Sequence, residues 1–387
     1  MDKHILHTRL AALALGVGLA ACAIALVCLL FPAQSETRPG VDYGYVYSGV
    51  KSSSVEFVEA AMTEESLMVL GSSELSTPRR LVPQVPVQVF GKADYGVRLM
   101  LIGEAFDQSL WHAIALGAYQ DAGIPRNKVV LIVTPGWFVD GGQDSDTFKT
   151  RFSYSLYSKF NANANVPEEA KRYVRNRLEQ LGVDETTISS VNPSLPQDYL
   201  NALALKALDD LKLRQGLISV RDKGIELVDE DTPSTPDFES LRKEAEQTGA
   251  EMSTTNDWGV EDGFYTGQLE PALADAEGSR AGETYTDTPE YDDLDCFLDI
   301  ADACGIEVLV VLSPEMGPYY DYIGIGKDVR NNCYERVRSI VNDHNARIAD
   351  FSNREYEKYF LYEIVHFGWT GWVDVEKSIY EFAQDGA

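Results

Sequence analysis

Residues 10–31 form an unbroken run of 22 residues without a charged side chain, rich in Ala, Leu and Val. A helix of about 20 apolar residues crosses the hydrocarbon core of a bilayer. The apolar core of a cleaved leader is shorter, about 7–15 residues. Leu19-Ala20-Ala21-Cys22 has the look of a lipoprotein processing box, but the apolar run continues for nine residues past Cys22. The expectation is therefore one uncleaved anchor. Lys3 and Arg9, with His4 and His7, precede it. The positive-inside rule then puts residues 1–9 in the cytoplasm and residues 32–387 outside the cell membrane.

The exported part is too thiol-poor for a disulfide framework, since only Cys296, Cys304 and Cys333 lie outside the anchor. These read as small core residues. No Cys/His spacing suggests a metal site, and no cofactor is called for. The net charge is −28, from 61 acidic and 33 basic residues, which disfavours nucleic acid as a partner. A polyanionic polymer would also be repelled on average.

Residues 32–40 are polar and proline-bearing and read as a stalk. Beyond them, residues 55–62 have helical apolar spacing. Residues 67–70 and 97–102 are short buried-type strands, each ended by glycine (Gly71, Gly103), and 85–90 is a weaker candidate because of Pro86. A helix over 109–119 and a strand over 129–133 follow. Strand, helix, strand with short joins predicts parallel α/β units. The pattern breaks at an insertion of about 155–285. There, 166–181 and 198–213 read as amphipathic helices and 226–282 as an acidic, loop-rich stretch. It resumes with a helix over 291–304, a strong strand over 306–312, a helix over 328–344, a strand over 347–351 and a last helix over 373–382. One α/β domain interrupted by a helical insertion accounts for this order.

Ser73 and His366 carry the chemical interest. A serine hydroxyl needs a base to become a nucleophile, and histidine titrates in the right range. The histidine needs an acceptor on its second nitrogen, and the site needs N–H donors where an oxyanion forms. Of five histidines, His4 and His7 precede the anchor. His112 lies on an apolar helix face, as core histidines do. His344, among Asn342, Asp343 and Asn345, reads as a solvent-side helix end. His366 remains as the base, with Glu363 three residues earlier. Local sequence leaves other readings open: Ser72 or Ser73 can simply cap a helix, and Glu363 with His366 can be a surface pair. Ser73 lacks the Gly-x-Ser-x-Gly frame of α/β-hydrolases. Gly103 is a candidate for a second oxyanion N–H, or a turn glycine.

Several segments, taken in order, carry a resemblance. They are Gly71-Ser72-Ser73-Glu74-Leu75, Gly103 with Gln108-Ser109-Leu110, and Thr134-Pro135-Gly136-Trp137-Phe138. Pro289-Glu290-Tyr291-Asp292-Asp293-Leu294 and Tyr319-Tyr320-Asp321-Tyr322-Ile323-Gly324 follow. Asp350-Phe351-Ser352 and His366-Phe367-Gly368-Trp369-Thr370-Gly371-Trp372 complete the set. In this order, behind an N-terminal anchor, they resemble the DltD family of teichoic-acid D-alanylation, within the SGNH/GDSL-like hydrolase group.

The resemblance implies an SGNH-type fold, a parallel sheet between helices. It aligns Ser73 with the nucleophile, leaving Ser72 as a neighbour, and His366 with the base. The family acid is typically aspartate; here the position holds Glu363, with Asp350 as an alternative. The SGNH third-block asparagine is not evident after Val133. The oxyanion site then leans on the Ser73 and Gly103 backbone, with Gln108 as an assistant. The implied activity is an acyltransferase or serine esterase: D-alanyl transfer through a serine ester to lipoteichoic acid, with a membrane-bound O-acyltransferase as partner. The alternatives are an envelope O-acyl hydrolase and a non-catalytic scaffold of the D-alanylation machinery.

Overall fold

The computed structural model describes residues 3–30, 36–230 and 232–385. The ends of the expected cytoplasmic tail and anchor, and residues 32–35 of the expected stalk, lie outside that set. Helix α1 (Lys3–Leu30) contains residues 10–30 of the apolar run, and none of its most apolar window is buried in the protein. Among the described residues it is the one helix long and apolar enough to cross a membrane.

After α1 come α2 (Val55–Ala61), β1 (Ser66–Leu70), β2 (Arg98–Ile102), α3 (Ser109–Gln120) and β3 (Lys128–Val133). The longer helices that follow are α4 (Tyr154–Ala162), α5 (Glu168–Gln180), α6 (Pro196–Val220) and α7 (Phe238–Met252). The chain then returns through α8 (Glu290–Cys304), β4 (Glu307–Leu312), α9 (Lys327–Asp343), β5 (Ala346–Asp350) and α10 (Trp369–Gln384). The sheet is parallel throughout, in the order β2-β1-β3-β4-β5. It is an α/β fold of the expected SGNH-like kind.

Side chains alternate across a strand, so each strand feeds two cores. Met68, Leu70, Val129, Leu131, Val308 and Val310 pack with Trp111, Phe297 and Tyr334 of α3, α8 and α9. Leu67, Val69, Val130, Ile132, Leu309 and Val311 pack with Trp369, Trp372 and Ile379 of α10. A parallel sheet covered on both faces needs such near-continuous apolar strands.

Two expectations change. Residues 85–90 are not a strand: Pro86 opens a short helix, Pro86–Val89, where its missing N–H costs nothing. The 226–282 stretch is also more ordered than its acidity suggests, because it holds the 15-residue α7. Ala245 and Gly249 of α7 are buried, and Phe238, Leu241 and Met252 pack on the α10 side of the sheet. Exposed Glu239, Lys243, Glu244, Glu246 and Glu251 hide this stripe from a compositional reading.

The order β2-β1-β3 places a reversal of strand order at β1 and β3. In open α/β sheets, ligands bind beyond the carboxyl ends of the strands at such a switch point. Ser73 follows β1 by three residues and so lies at that edge.

Candidate active site

Ser73 is the first residue of a tight 3-10 turn, Ser73–Ser76, that leaves the end of β1. The leading N–H groups of such a turn have no partner within it and face outward. The turn is fixed from within. The Ser72 N–H donates to Glu74 Oε1 at 2.6 Å, and the Ser76 hydroxyl donates to the Ser73 carbonyl at 2.7 Å. Ser72 is a structural neighbour: its Oγ donates to the Glu104 carbonyl (3.3 Å) and accepts from the Phe106 N–H (3.0 Å). That ties the β1 turn to the loop after β2, and neither serine uses its side chain as a helix cap.

Gly103 explains itself by close approach. Its φ is +142°, and a Cβ there would overlap the Gly71 carbonyl. Its backbone therefore lies against the base of the Ser73 turn.

The histidine arrives on a short loop, 361–367, closed by an antiparallel bridge between Leu361 and Phe367. The Tyr362 N–H donates to the His366 carbonyl at 3.1 Å, and Gly368 N–H to Phe360 O at 2.7 Å. Gly371 in α10 lets the helix lie against the Phe360 carbonyl, where a Cβ would collide. Glu363 and His366 thus share a turn, as their spacing suggested, although the turn is not helical.

The three side chains meet. Ser73 Oγ lies 2.7 Å from His366 Nε2, and His366 Nδ1 lies 2.7 Å from Glu363 Oε1. The same carboxylate oxygen accepts the Val365 N–H at 3.0 Å and the His366 N–H. The extra methylene of glutamate is therefore absorbed with good reach. Asp350 is committed elsewhere, to Arg338 at 2.5 Å and to the Ser352 N–H at 2.9 Å.

The electrostatics follow. Burial opposes ionisation of Glu363, but hydrogen bonds from the His366 ring, its charge and two backbone N–H groups more than offset this, so its pKa is lowered. Burial also opposes charge on His366, but the bond and charge of Glu363, with the charge of Glu74, raise its pKa above the ordinary 6.5. A base whose conjugate acid is held up in this way stays competent to take a serine proton.

Other histidines fall where expected. His112 is fully buried, its Nε2 3.1 Å from the Gly71 carbonyl, with burial pushing its pKa down to about 4. His344 sits between Asp302 (2.8 Å) and Asp295 (2.9 Å) at the surface.

A cavity of about 200 Å³ opens beside Ser73, lined by Ser72, Glu74, Phe106, Gln108, Thr134, Trp137 and His366 among others. Gln108 Oε1 and Thr134 Oγ1 are buried there without a hydrogen-bond partner among the described residues. Glu74 lies in the same wall, its pKa raised chiefly by burial. Sequence reasoning named Gln108 but missed Glu74, Thr134, Trp137 and Phe106 as lining. Thr134 and Trp137 stood in a quoted segment directly after a strand, which is the one signal that placed them at this edge.

A sequence model described as "DltD protein" matches residues 45–384. The chain belongs to the DltD family. It is 32% identical over 334 residues to Protein DltD of Bacillus subtilis, covering 83% of each chain. It is 26% identical over 316 residues to Protein DltD of Staphylococcus aureus, covering 80% of this chain and 79% of that one. With Protein DltD of Lacticaseibacillus rhamnosus it shares 26% over 337 residues, covering 83% and 78%. DltD proteins act in the D-alanylation of teichoic acids. The matched stretch starts beyond α1 and contains Ser73, Glu363 and His366.

Proposed function

We propose that this DltD chain is a D-alanyl transferase working through a serine ester at Ser73. Residues 1–9 are cytoplasmic, residues 10–31 span the membrane, and residues 32–387, with the 155–285 insertion, work outside. The observation that carries the reading is the unbroken Ser73–His366–Glu363 relay opening on a cavity at the strand edge.

The first half-reaction starts from a D-alanyl ester presented by a membrane-bound O-acyltransferase. Ser73 Oγ attacks the ester carbonyl carbon while His366 Nε2 takes the hydroxyl proton. Glu363 holds Nδ1–H and balances the imidazolium. The N–H groups of Ser73 and Gly103 face the oxyanion, with Gln108 beside them. Collapse expels the donor alkoxide, which takes the proton from His366, and leaves Ser73 esterified. In the second half, a hydroxyl of lipoteichoic acid attacks the serine ester and gives its proton to His366. Ser73 Oγ departs and recovers that proton. The cavity volume suits a small acyl group, and the free acceptors Gln108 Oε1 and Thr134 Oγ1 suit the ammonium of a D-alanyl ester. The intact relay favours catalysis over a scaffold.

The test is covalent labelling by a fluorophosphonate. Label should map to Ser73 and vanish in Ser73→Ala; label persisting in that variant overturns the assignment. Release of free D-alanine from a donor ester with no modification of added polymer would favour a hydrolase instead.

A further inference from the structure

Among the described residues, large apolar side chains more than half exposed occur in three places only: the anchor α1, Phe106 at the active-site cavity, and the first half of α6. In α6 and its lead-in residue they are Leu195, Tyr199, Leu200, Leu203 and Leu208, each 61–69% exposed. Leu13, Leu15 and Leu19 of the anchor are exposed to the same degree. Leu195, Tyr199 and Leu203 recur at steps of four and so form one row, with Leu200 about 100° further round the helix and Leu208 about half a turn from Tyr199. Five large apolar side chains left this exposed within 14 residues mark a docking surface.

Lys206 stands exposed one turn from Leu203, where its long stem can lie along the row with its charged head in water, and the acids of α6 are tied up locally. Those acids are Asp198, Asp209 and Asp210. Asp198 accepts the Leu195 N–H at 2.9 Å, Asp209 accepts the Ser155 N–H at 2.9 Å, and Asp210 pairs with Arg214 at 2.7 Å.

The far end of α6 is tied to the chain just past the anchor. Arg221 pairs with Glu36 at 2.8 Å and Asp222 with Arg38 at 2.7 Å. Three residues further on, Ile225–Glu226 pair antiparallel with Val41–Asp42. Six residue steps separate Leu30 from Glu36, a reach of at most about 22 Å. The end of α6 therefore cannot leave the neighbourhood of the membrane surface. A groove lined by Lys212 and Gly216 of α6 also reaches Glu104, whose carbonyl holds Ser72.

We infer that α6 lies on the outer membrane surface beside its own anchor, with the 195–208 row in the lipid interface. This rests on reading α1 as a membrane anchor. An exposed apolar row on a helix whose end is tethered within reach of the bilayer is the arrangement of an interfacial helix. It would hold the Ser73 cavity at a fixed height above the bilayer, where lipid-linked substrates are presented.

The full chain is reconstituted in phosphatidylcholine vesicles containing a diazirine-tailed phospholipid, and photo-adducts are mapped by peptide mass spectrometry. Adducts are expected on both α1 and residues 195–208. In Leu200→Glu/Leu203→Glu, the 195–208 adducts should be lost and those on α1 retained. The substituted sites are exposed and glutamate is a good helix former, so the fold is kept. Adducts on α1 but none on 195–208 overturn the inference while leaving the anchor reading intact. Absence of adducts on α1 as well overturns the anchor reading and this inference with it. A row unlabelled in vesicles but shielded from aqueous reagents in native membranes overturns lipid docking in favour of a membrane-protein partner.

Discussion

Two histidines approach the same turn from different elements and end in opposite states. His112, from α3, touches the Gly71 carbonyl; His366, from the loop before α10, touches the Ser73 hydroxyl. The His112 ring is fully buried and the His366 ring mostly so, and burial acts on each in the same direction, against charge. The difference is a carboxylate. Among the described residues His112 has no acid partner; its pKa is pushed down to about 4, and it stays neutral as packing against Trp137. His366 has Glu363 at 2.7 Å and is held above its ordinary value. Burial alone makes a histidine inert; burial with an oriented acid makes it a base.

Removing the ring of His366 should break this contrast most. His366→Ala should slow fluorophosphonate labelling of Ser73 by about 10²–10⁴-fold, the usual contribution of a positioned base. Thermal stability should change little by comparison, and stopped-time labelling beside a melting curve separates the two effects.

Glu363→Gln should make His366 resemble His112. The neutral ring is the active form, so the labelling rate of the native protein should rise with pH through a midpoint above 6.5, because the pKa of His366 is raised. Loss of the Glu363 charge removes the main raising influence, so the midpoint should move to lower pH. The maximal rate should also fall, on the order of 10²-fold, because the tautomer is no longer enforced. A pH–rate profile with an unmoved midpoint would show that Glu363 does not control the ring.

The smallest effect is expected at His112. His112→Gln should leave the labelling rate within a few-fold of native while costing about 1–3 kcal/mol of stability, through a buried acceptor left unpaired and a disturbed stack on Trp137. A large loss of rate without loss of stability would place His112 in the chemistry.

Much of the frame was legible because its physics is local. Strands buried on both faces read as short apolar runs, and β1, β3 and β4 are of that kind. Of the Ser73–His366–Glu363 set, elimination among five histidines pointed to His366 and a three-residue spacing to Glu363, whereas Ser73 was singled out from Ser72 by the family resemblance. Helix α7 was not, because its stripe is broken by charged residues and Gly249, which the ring of Tyr359 covers only in the folded protein. Nor could the sequence foretell that Pro86 would open a helix in place of weakening a strand. The cavity wall was least legible. Phe106 adopts φ +73° and Glu74 folds its carboxylate back onto Ser72, arrangements set by contacts between distant segments.

The central claim is that Ser73 itself carries the D-alanyl group. It is tested most directly by acid-quenching the native protein while D-alanylation is under way and mapping its peptides by mass spectrometry. The account predicts a hydroxylamine-labile D-alanyl ester on Ser73, absent from Ser73→Ala, and no polymer modification by that variant. Normal polymer D-alanylation by Ser73→Ala protein would contradict it.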